Sequence, residues 1–498
     1  MSTIKEIIQF DSTLLTKDNL PKLKRQWAKA LGHTPKNSEL LAAFPQLRTL
    51  LQTRSVRSRS GVTPLAVMMK PFPCPGQCIY CPQEKGMPKS YFSDEPAAAR
   101  AKMVNFDPVA QITFRLEQLR RTGHDTSKLE LIVIGGTFSA YPQTYRRKFF
   151  HGLYNTCNGQ KTSNLTQAQK ANESALRRIV GISIETRPDC VSEAEVKFIR
   201  QLGVTRIQLG VQAFDDEILK IIKRNHGLDA VAKATLLLRN TGLKICYHFM
   251  PNLPGSNPKK DIQMAKIMYT DPRFQPDSVK IYPCMVIPGT ELATVSSYIT
   301  YSDTVLLDTL KQIKLLTPPT VRIDRLVRDI SKKWISSGTQ RSNMRQMLQV
   351  ELKKEAKHCR CIRCREIKSG EYAIPNLQMI TNQTVGGQEI FLSFEKGGNL
   401  YSLLRLRLPE LDNTMFPELS GAAIIREVHS FGTALPLKSH QANKTQHQGL
   451  GRKLITKAEE ITKSHGFLKV AIISAIGTRN YYRKLGYHLE GLYMTKSL

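Results

Sequence analysis

The stretch Cys74-Pro75-Gly76-Gln77-Cys78-Ile79-Tyr80-Cys81 decides how this chain is to be read. Its three thiols stand at CxxxCxxC spacing, close enough in sequence to grip one small inorganic group. Cysteine thiolates are the ligands of iron–sulfur clusters, and a cubane ordinarily takes four. Three therefore leave one iron of a 4Fe-4S cluster open to a ligand that is not protein. The rival reading is a zinc knuckle short of one ligand, although zinc sites usually present paired CxxC elements. Tyr80, beside the last cysteine, adds an aromatic to the pattern.

Outward from this loop, short β-rich runs alternate with helical stretches: 65–69, 129–134, 180–184, 206–209, 243–249 and 278–282. Strands separated by helices predict βα units around a parallel sheet. Six of them make an α/β fold, a partial (βα)6 TIM-like barrel whose active site lies beyond the carboxyl ends of its strands. The cysteine loop follows the first run. Gly135-Gly136-Thr137 ends the second, where glycines let a ligand approach the backbone. Glu185-Thr186-Arg187-Pro188-Asp189 ends the third, and the Glu185 carboxylate is placed either to accept from ribose hydroxyls or to make a structural ion pair. Gln208, in Gln208-Leu209-Gly210-Val211-Gln212, ends the fourth and is expected to line the same cavity.

The chain has 498 residues, enough for two or three domains, and a formal charge of +32 that does not suit an ordinary metabolic enzyme. Such an excess points to a polyanion. No apolar run approaches the roughly 20 residues that span a bilayer, so a membrane partner is not expected. Residues 1–62 read as a basic helical segment for nucleic-acid contact, with Lys22, Lys24, Arg25 and Lys29 in one helix, and Arg48, Arg54, Arg57 and Arg59 after it. Trp27 is expected in a core. Six of ten cysteines fall in two tight clusters, a pattern of metal binding in a reducing cytoplasm and not of a disulfide framework. The second cluster, Cys359, Cys361 and Cys364, lies in a connector assigned to 317–385 after a barrel domain at 63–316. Three thiols suit zinc short of a fourth ligand, for which His358 and Cys284 are weak candidates, or a basic redox-sensitive loop.

From 386 to 498 the pattern is a separate α/β domain. Strand-like 403–408 and 422–429 precede Gln446-His447-Gln448-Gly449-Leu450-Gly451-Arg452, a turn that opens a helix. A helix start of this kind offers free N–H groups and a positive dipole to a pyrophosphate. The helix should stop at Gly466, and a strand at 469–474 leads to Gly477-Thr478-Arg479-Asn480-Tyr481-Tyr482.

The cysteine loop resembles that of the radical S-adenosylmethionine enzymes, in which the open iron holds the amino and carboxylate groups of S-adenosylmethionine and cleavage yields a 5′-deoxyadenosyl radical. The compact spacing is that of the superfamily at large, and Thr137 stands where Gly-Gly-Glu is frequent. The last segment resembles the acetyl-coenzyme A site of GNAT acetyltransferases, whose late tyrosine reaches the thioester. With both present, the chain resembles the Elongator catalytic subunits in their stand-alone bacterial and archaeal form. Its most specific signs are Glu185–Asp189, Arg426-Glu427-Val428-His429, Gln446–Gly449 and Gly477–Tyr482. That resemblance implies carboxymethylation of the tRNA wobble uridine from acetyl-coenzyme A, with an electron donor and without obligatory accessory subunits. By motif position, Lys128, Arg426, Glu427, Val428, His429, Gly449, Leu450, Gly451 and Tyr481 would contact acetyl-coenzyme A. Lys128, His429 and Tyr481 are the candidate catalytic groups. The alternatives are a protein lysine acetyltransferase with a structural iron–sulfur domain, and an inactive tRNA-binding scaffold.

Overall fold

The computed structural model describes residues 2–8, 15–52, 60–367, 374–410, 412–413, 415–432 and 449–498. The basic residues Arg54, Arg57 and Arg59 and the turn residues Gln446, His447 and Gln448 lie outside them.

Seven strands form the first sheet in simple sequential order: β1 (Thr63–Met68), β2 (Lys128–Ile134), β3 (Arg178–Thr186), β4 (Arg206–Gln212), β5 (Lys244–Phe249), β6 (Ser278–Ile281) and β7 (Arg322–Leu326). Every neighbouring pair is parallel. This is the expected open barrel with one strand more than six. The seventh arises inside the stretch assigned to the connector. Arg322-Ile323-Asp324-Arg325-Leu326 carries three charges because its inner face meets a polar interior, so the run lacks the apolar continuity of a buried parallel strand. Outward-facing Leu129, Leu131, Ile207, Leu209, Ile245 and Ile323 are buried beneath the surrounding helices.

The second sheet runs β13 (His488–Glu490), β14 (Tyr493–Ser497), β12 (Lys469–Ile472), β11 (Ala422–Ser430), β10 (Asn399–Pro409), β9 (Gly387–Lys396) and β8 (Asn376–Thr384) in spatial order. It begins ten residues before the expected boundary at 386. All its pairings are antiparallel except β11 with β12. Those two pair only from Ala422↔Lys469 to Ile425↔Ile472. Beyond that point β11 continues without β12, and the sheet splays open.

This sheet docks against the amino ends of the barrel strands. Arg426 donates to Asp277 beside β6, Lys244 at the start of β5 pairs with Glu427, and Arg405 donates to the Thr320 carbonyl. Gly477 fits against the backbone of Ile179, where a Cβ would sit within 3.0 Å of main-chain atoms. The barrel thus has the cysteine loop at its carboxyl end and the second sheet at its amino end.

The amino-terminal helices, Leu20–Leu31 and Asn37–Ala43, enclose a small separate core with Trp27, Leu40 and Leu51. Lys22, Arg25 and Lys29 are exposed on one side of the first helix. Arg48 Nε donates to the Gly123 carbonyl at 2.9 Å and ties this piece to the barrel. Among the described residues, no helix is long and apolar enough to cross a membrane.

Candidate active site

At the carboxyl end, the cysteine loop leaves β1 and turns at Gly76. A Cβ there would lie 2.3 Å from Arg187 Nη1, so any larger residue would push the end of this arginine aside. Arg187 forks onto Asp189 and donates to the Arg224 carbonyl at 2.6 Å. Arg224 in turn donates to Cys78 Sγ at 3.3 Å. Burial alone would raise the Cys78 thiol, but the Arg224 guanidinium outweighs it and holds the group below its ordinary value. Thr137, which stands where the superfamily often has glutamate, has its hydroxyl 3.3 Å from Cys74 Sγ.

Gly135 and Gly136 have φ of 144° and 87°. The first passes so close to Met69 that a Cβ would meet its Cβ at 3.1 Å. Their positive φ carries the chain across the strand ends beneath the loop. Glu185 accepts from the Tyr91 hydroxyl at 2.6 Å and pairs with Lys280 at 3.2 Å. Burial pushes its carboxyl up, yet Lys280 and the Tyr91 hydroxyl hold it below the usual carboxylate range. Gln208 lies deeper, donating to Ser183 Oγ at 2.6 Å, with His248 Nε2 3.2 Å from its carbonyl oxygen. Burial and Lys280 push His248 down to about 3, so its imidazole is neutral.

At the amino end, a bulge between β10 and β11 leaves Arg426 opposite no single residue. Two consecutive side chains, Arg426 and Glu427, then face the barrel, since a bulge re-aims the strand. Arg426 pairs there with Asp277 at 2.6 Å and Glu389 at 2.7 Å. Its guanidinium therefore joins the second sheet to the barrel. Glu427 is held by Lys244 at 3.2 Å and Arg405 at 3.0 Å. These cations outweigh its burial and keep it ionised. His429 faces the same way, and burial together with Arg322 and Lys244 holds its pKa low.

Val428 and Ser430 face the opposite side, toward the helix Leu450–Ser464. Gly449 precedes that helix with a φ of 72°, and Leu450 buries its side chain under it. A Cβ on Gly451 would stand 3.5 Å from the Tyr481 hydroxyl, 3.7 Å from Ser430 Oγ and 3.8 Å from Val428. Tyr481, Gly451, Ser430 and Val428 therefore converge at the splay. Tyr481 is 45% exposed, so it is not a core tyrosine. Lys128 begins β2 at this amino end, half-buried, its pKa lowered by burial and by Arg178. It lies on the side of the barrel that meets the second sheet, away from the cysteines.

Residues 73–267 match the Radical SAM superfamily, and 276–354 match the Radical SAM C-terminal domain. The tRNA uridine(34) acetyltransferase of Dehalococcoides mccartyi (strain CBDB1) is 44% identical over 460 residues, covering 89% of this chain and 99% of that protein. Elongator complex protein 3 of Homo sapiens is 36% identical over 96% of this chain and 93% of its own length. The structure of archaeal Methanocaldococcus infernus Elp3 with residues 1–46 deleted superposes with a TM-score of 0.78, at 38% identity over 88% of this chain and all of that one. The chain belongs to the Elp3 family.

In this Elp3-family chain the connector thiols are brought together. The Sγ atoms of Cys359, Cys361 and Cys364 all lie within 4.8 Å of one another. The thiols of Cys74, Cys78 and Cys81 are not so gathered, which argues against one shared zinc ion for the loop: a tetrahedral ion with bonds of about 2.3 Å draws its sulfurs to about 4 Å apart. A cubane spreads its thiolates over separate irons. His358 is exposed and Cys284 belongs to the barrel core, so neither joins the connector group. Lys314 does, with Nζ 3.1 Å from Cys364 Sγ and no exposure. Lys314, Arg224, His248, Lys280 and Tyr91 escaped the sequence reading because each stands alone in its own stretch. Only a polar residue alternating with apolar ones in 244–249 and 278–282 hinted at an inward position for His248 and Lys280.

Proposed function

We propose that this chain converts the wobble uridine of tRNA to 5-carboxymethyluridine, with acetyl-coenzyme A as the carbon donor. The observation that carries this is the closure of one barrel by a three-thiol loop at one end and a thioester cleft at the other. The names of the relatives, which specify tRNA uridine(34) and Elongator, agree with it, as does the charge of +32.

The loop fits a 4Fe-4S cluster: three thiols, one of them lowered by Arg224, and the close-packed glycines that S-adenosylmethionine needs. These groups, when bound, would supply a 5′-deoxyadenosyl radical able to take hydrogen from the acetyl methyl; the carbon would then join C5 of the uridine, with the C5 proton lost to solvent and one electron returned to the oxidised cluster, before thioester hydrolysis. The protein orients and protects. Glu185, kept charged by Lys280, accepts from ribose hydroxyls. Neutral His248 offers a nitrogen that does not repel the cations around it. The helix start at Gly449–Gly451 receives the pyrophosphate. Tyr481, its pKa raised by burial, stays a hydroxyl donor at the thioester. The target base must leave its stack to enter.

The connector thiols fit three corners of a structural zinc site, and the Lys314 ammonium, which has no lone pair to give a metal, balances thiolate charge beside them. The reaction also needs an electron donor, and the chain acts in the cytoplasm without accessory subunits. Acetyl-coenzyme A deuterated at the methyl tests the proposal. Deuterium should appear in 5′-deoxyadenosine, with the remainder in carboxymethyluridine. A lysine acetyltransferase would retain all three deuterons on acetylated protein, and that result refutes the proposal.

A further inference from the structure

The two sites lie at opposite ends of the barrel. β2 has seven residues, so at about 3.3 Å per residue the ends are roughly 20 Å apart. Reaction between an acetyl methyl and an adenosyl carbon requires about 3–3.5 Å. Something must cross the barrel.

The interior is built for passage. A closed TIM barrel is filled by layers of branched apolar side chains. Here β1 and β2 turn an apolar patch inward, Ala66, Met68, Ile132 and Ile134, but the inward side chains of β5 to β7 include charged groups that keep contact with solvent: Lys244 is 26% exposed, Asp324 16% and Lys280 16%. Just inside the amino end the wall is missing a side chain. Gly181 of β3 is level with Glu130 of β2, and both face inward, because their neighbours Leu131 and Ile182 pack outward beneath the helices. Gly181 has no unusual φ, and a Cβ would make only ordinary contact, 3.4 Å from Glu130 Cγ. Neither the backbone nor crowding demands glycine. A glycine in a strand interior weakens it unless something must approach closely. Above it, Arg206 of β4 reaches across two intervening strands to Asp324 of β7, an ion pair that bars the interior. Arg206 also donates to Ser278 Oγ at 2.7 Å.

We propose that the acetyl end of the thioester passes through the splay between β11 and β12 into the barrel and advances along its interior. Gly181 leaves the room, and the Arg206–Asp324 pair is the gate before the radical site. This rests on the two-site reading above. Gly181 is a positioning residue, since its role is to be absent.

Two measurements test the passage. In cluster-free protein, Gly181→Cys is exposed to bromoacetyl-coenzyme A, whose bromide a thiolate displaces. The cysteine should be alkylated at least tenfold faster than by bromoacetamide at equal concentration, and acetyl-coenzyme A should protect it. Equal rates without protection overturn the proposal. In reconstituted enzyme, Gly181→Phe should bind acetyl-coenzyme A and cleave S-adenosylmethionine in its absence within twofold of wild type. Deuterium transfer from the labelled acetyl group should fall at least 100-fold. Transfer at the wild-type rate through the filled interior overturns it too. If wild-type enzyme transfers no deuterium, the two-site reading is what fails, while the alkylation result still reports where the acetyl end goes.

Discussion

At the scale of single residues, charge is controlled by neighbours that no motif announces. His248 is held neutral by burial and by Lys280, its pKa near 3 against an ordinary value of about 6.5. Its folded-state pKa is depressed, so the unfolded chain binds a proton that the folded chain refuses. Stability from this residue is therefore complete above about pH 6.5 and declines as pH falls toward 3. In thermal melts of the apoprotein between pH 7.5 and 5.5, His248→Gln should lose less melting temperature than wild type. An equal loss in both would assign the acid sensitivity elsewhere, with His226, pushed to about 4 by burial and Arg224, the next group to replace.

At the scale of elements, the bulge of β11 does the joining. It turns Arg426 and Glu427 together onto the barrel, where Asp277 binds Arg426 and lies 3.5 Å from Arg405. All three side chains are buried. Removing one partner of such a group leaves an uncompensated charge and costs about 3–5 kcal/mol. Asp277→Ala should thus shift urea unfolding to clearly lower midpoints. Asp277→Asn, which keeps a carbonyl acceptor for part of the network, should lose less. A midpoint unchanged in both would mean that the seam is not held by these ions. The motif Arg426-Glu427-Val428-His429 was legible in the sequence, but its direction was not. A bulge changes which side chains share a face, and bulges leave no periodic trace.

At the scale of the whole molecule, the amino-terminal piece is a small core carrying an exposed basic face and held to the barrel by few bonds. Each phosphate neutralised contributes a slope of about −0.7 to −0.9 in log affinity against log salt. Replacing Lys22, Arg25 and Lys29 with alanine should make that slope shallower by about 2 units for tRNA. Nitrocellulose-filter binding across a salt series measures it, and an unchanged slope would remove this face from the tRNA contact.

What the sequence determined by itself was local: the cysteine spacing, the strand–helix alternation with Gly135, Gly136 and Glu185 at strand ends, and the glycine turn before a helix at Leu450. Each is a short pattern whose chemistry depends on neighbours in the chain. The tertiary structure alone decided what lies far apart in sequence, including the seventh strand, the pairing of Arg426 with Asp277, Lys314 against Cys364, and the cysteine loop and second sheet at opposite ends of one barrel. The physical reason is that inward residues of a parallel barrel are chosen by what faces them across the interior. Arg206 and Asp324 are 118 positions apart, and only the closing of the sheet makes them a pair.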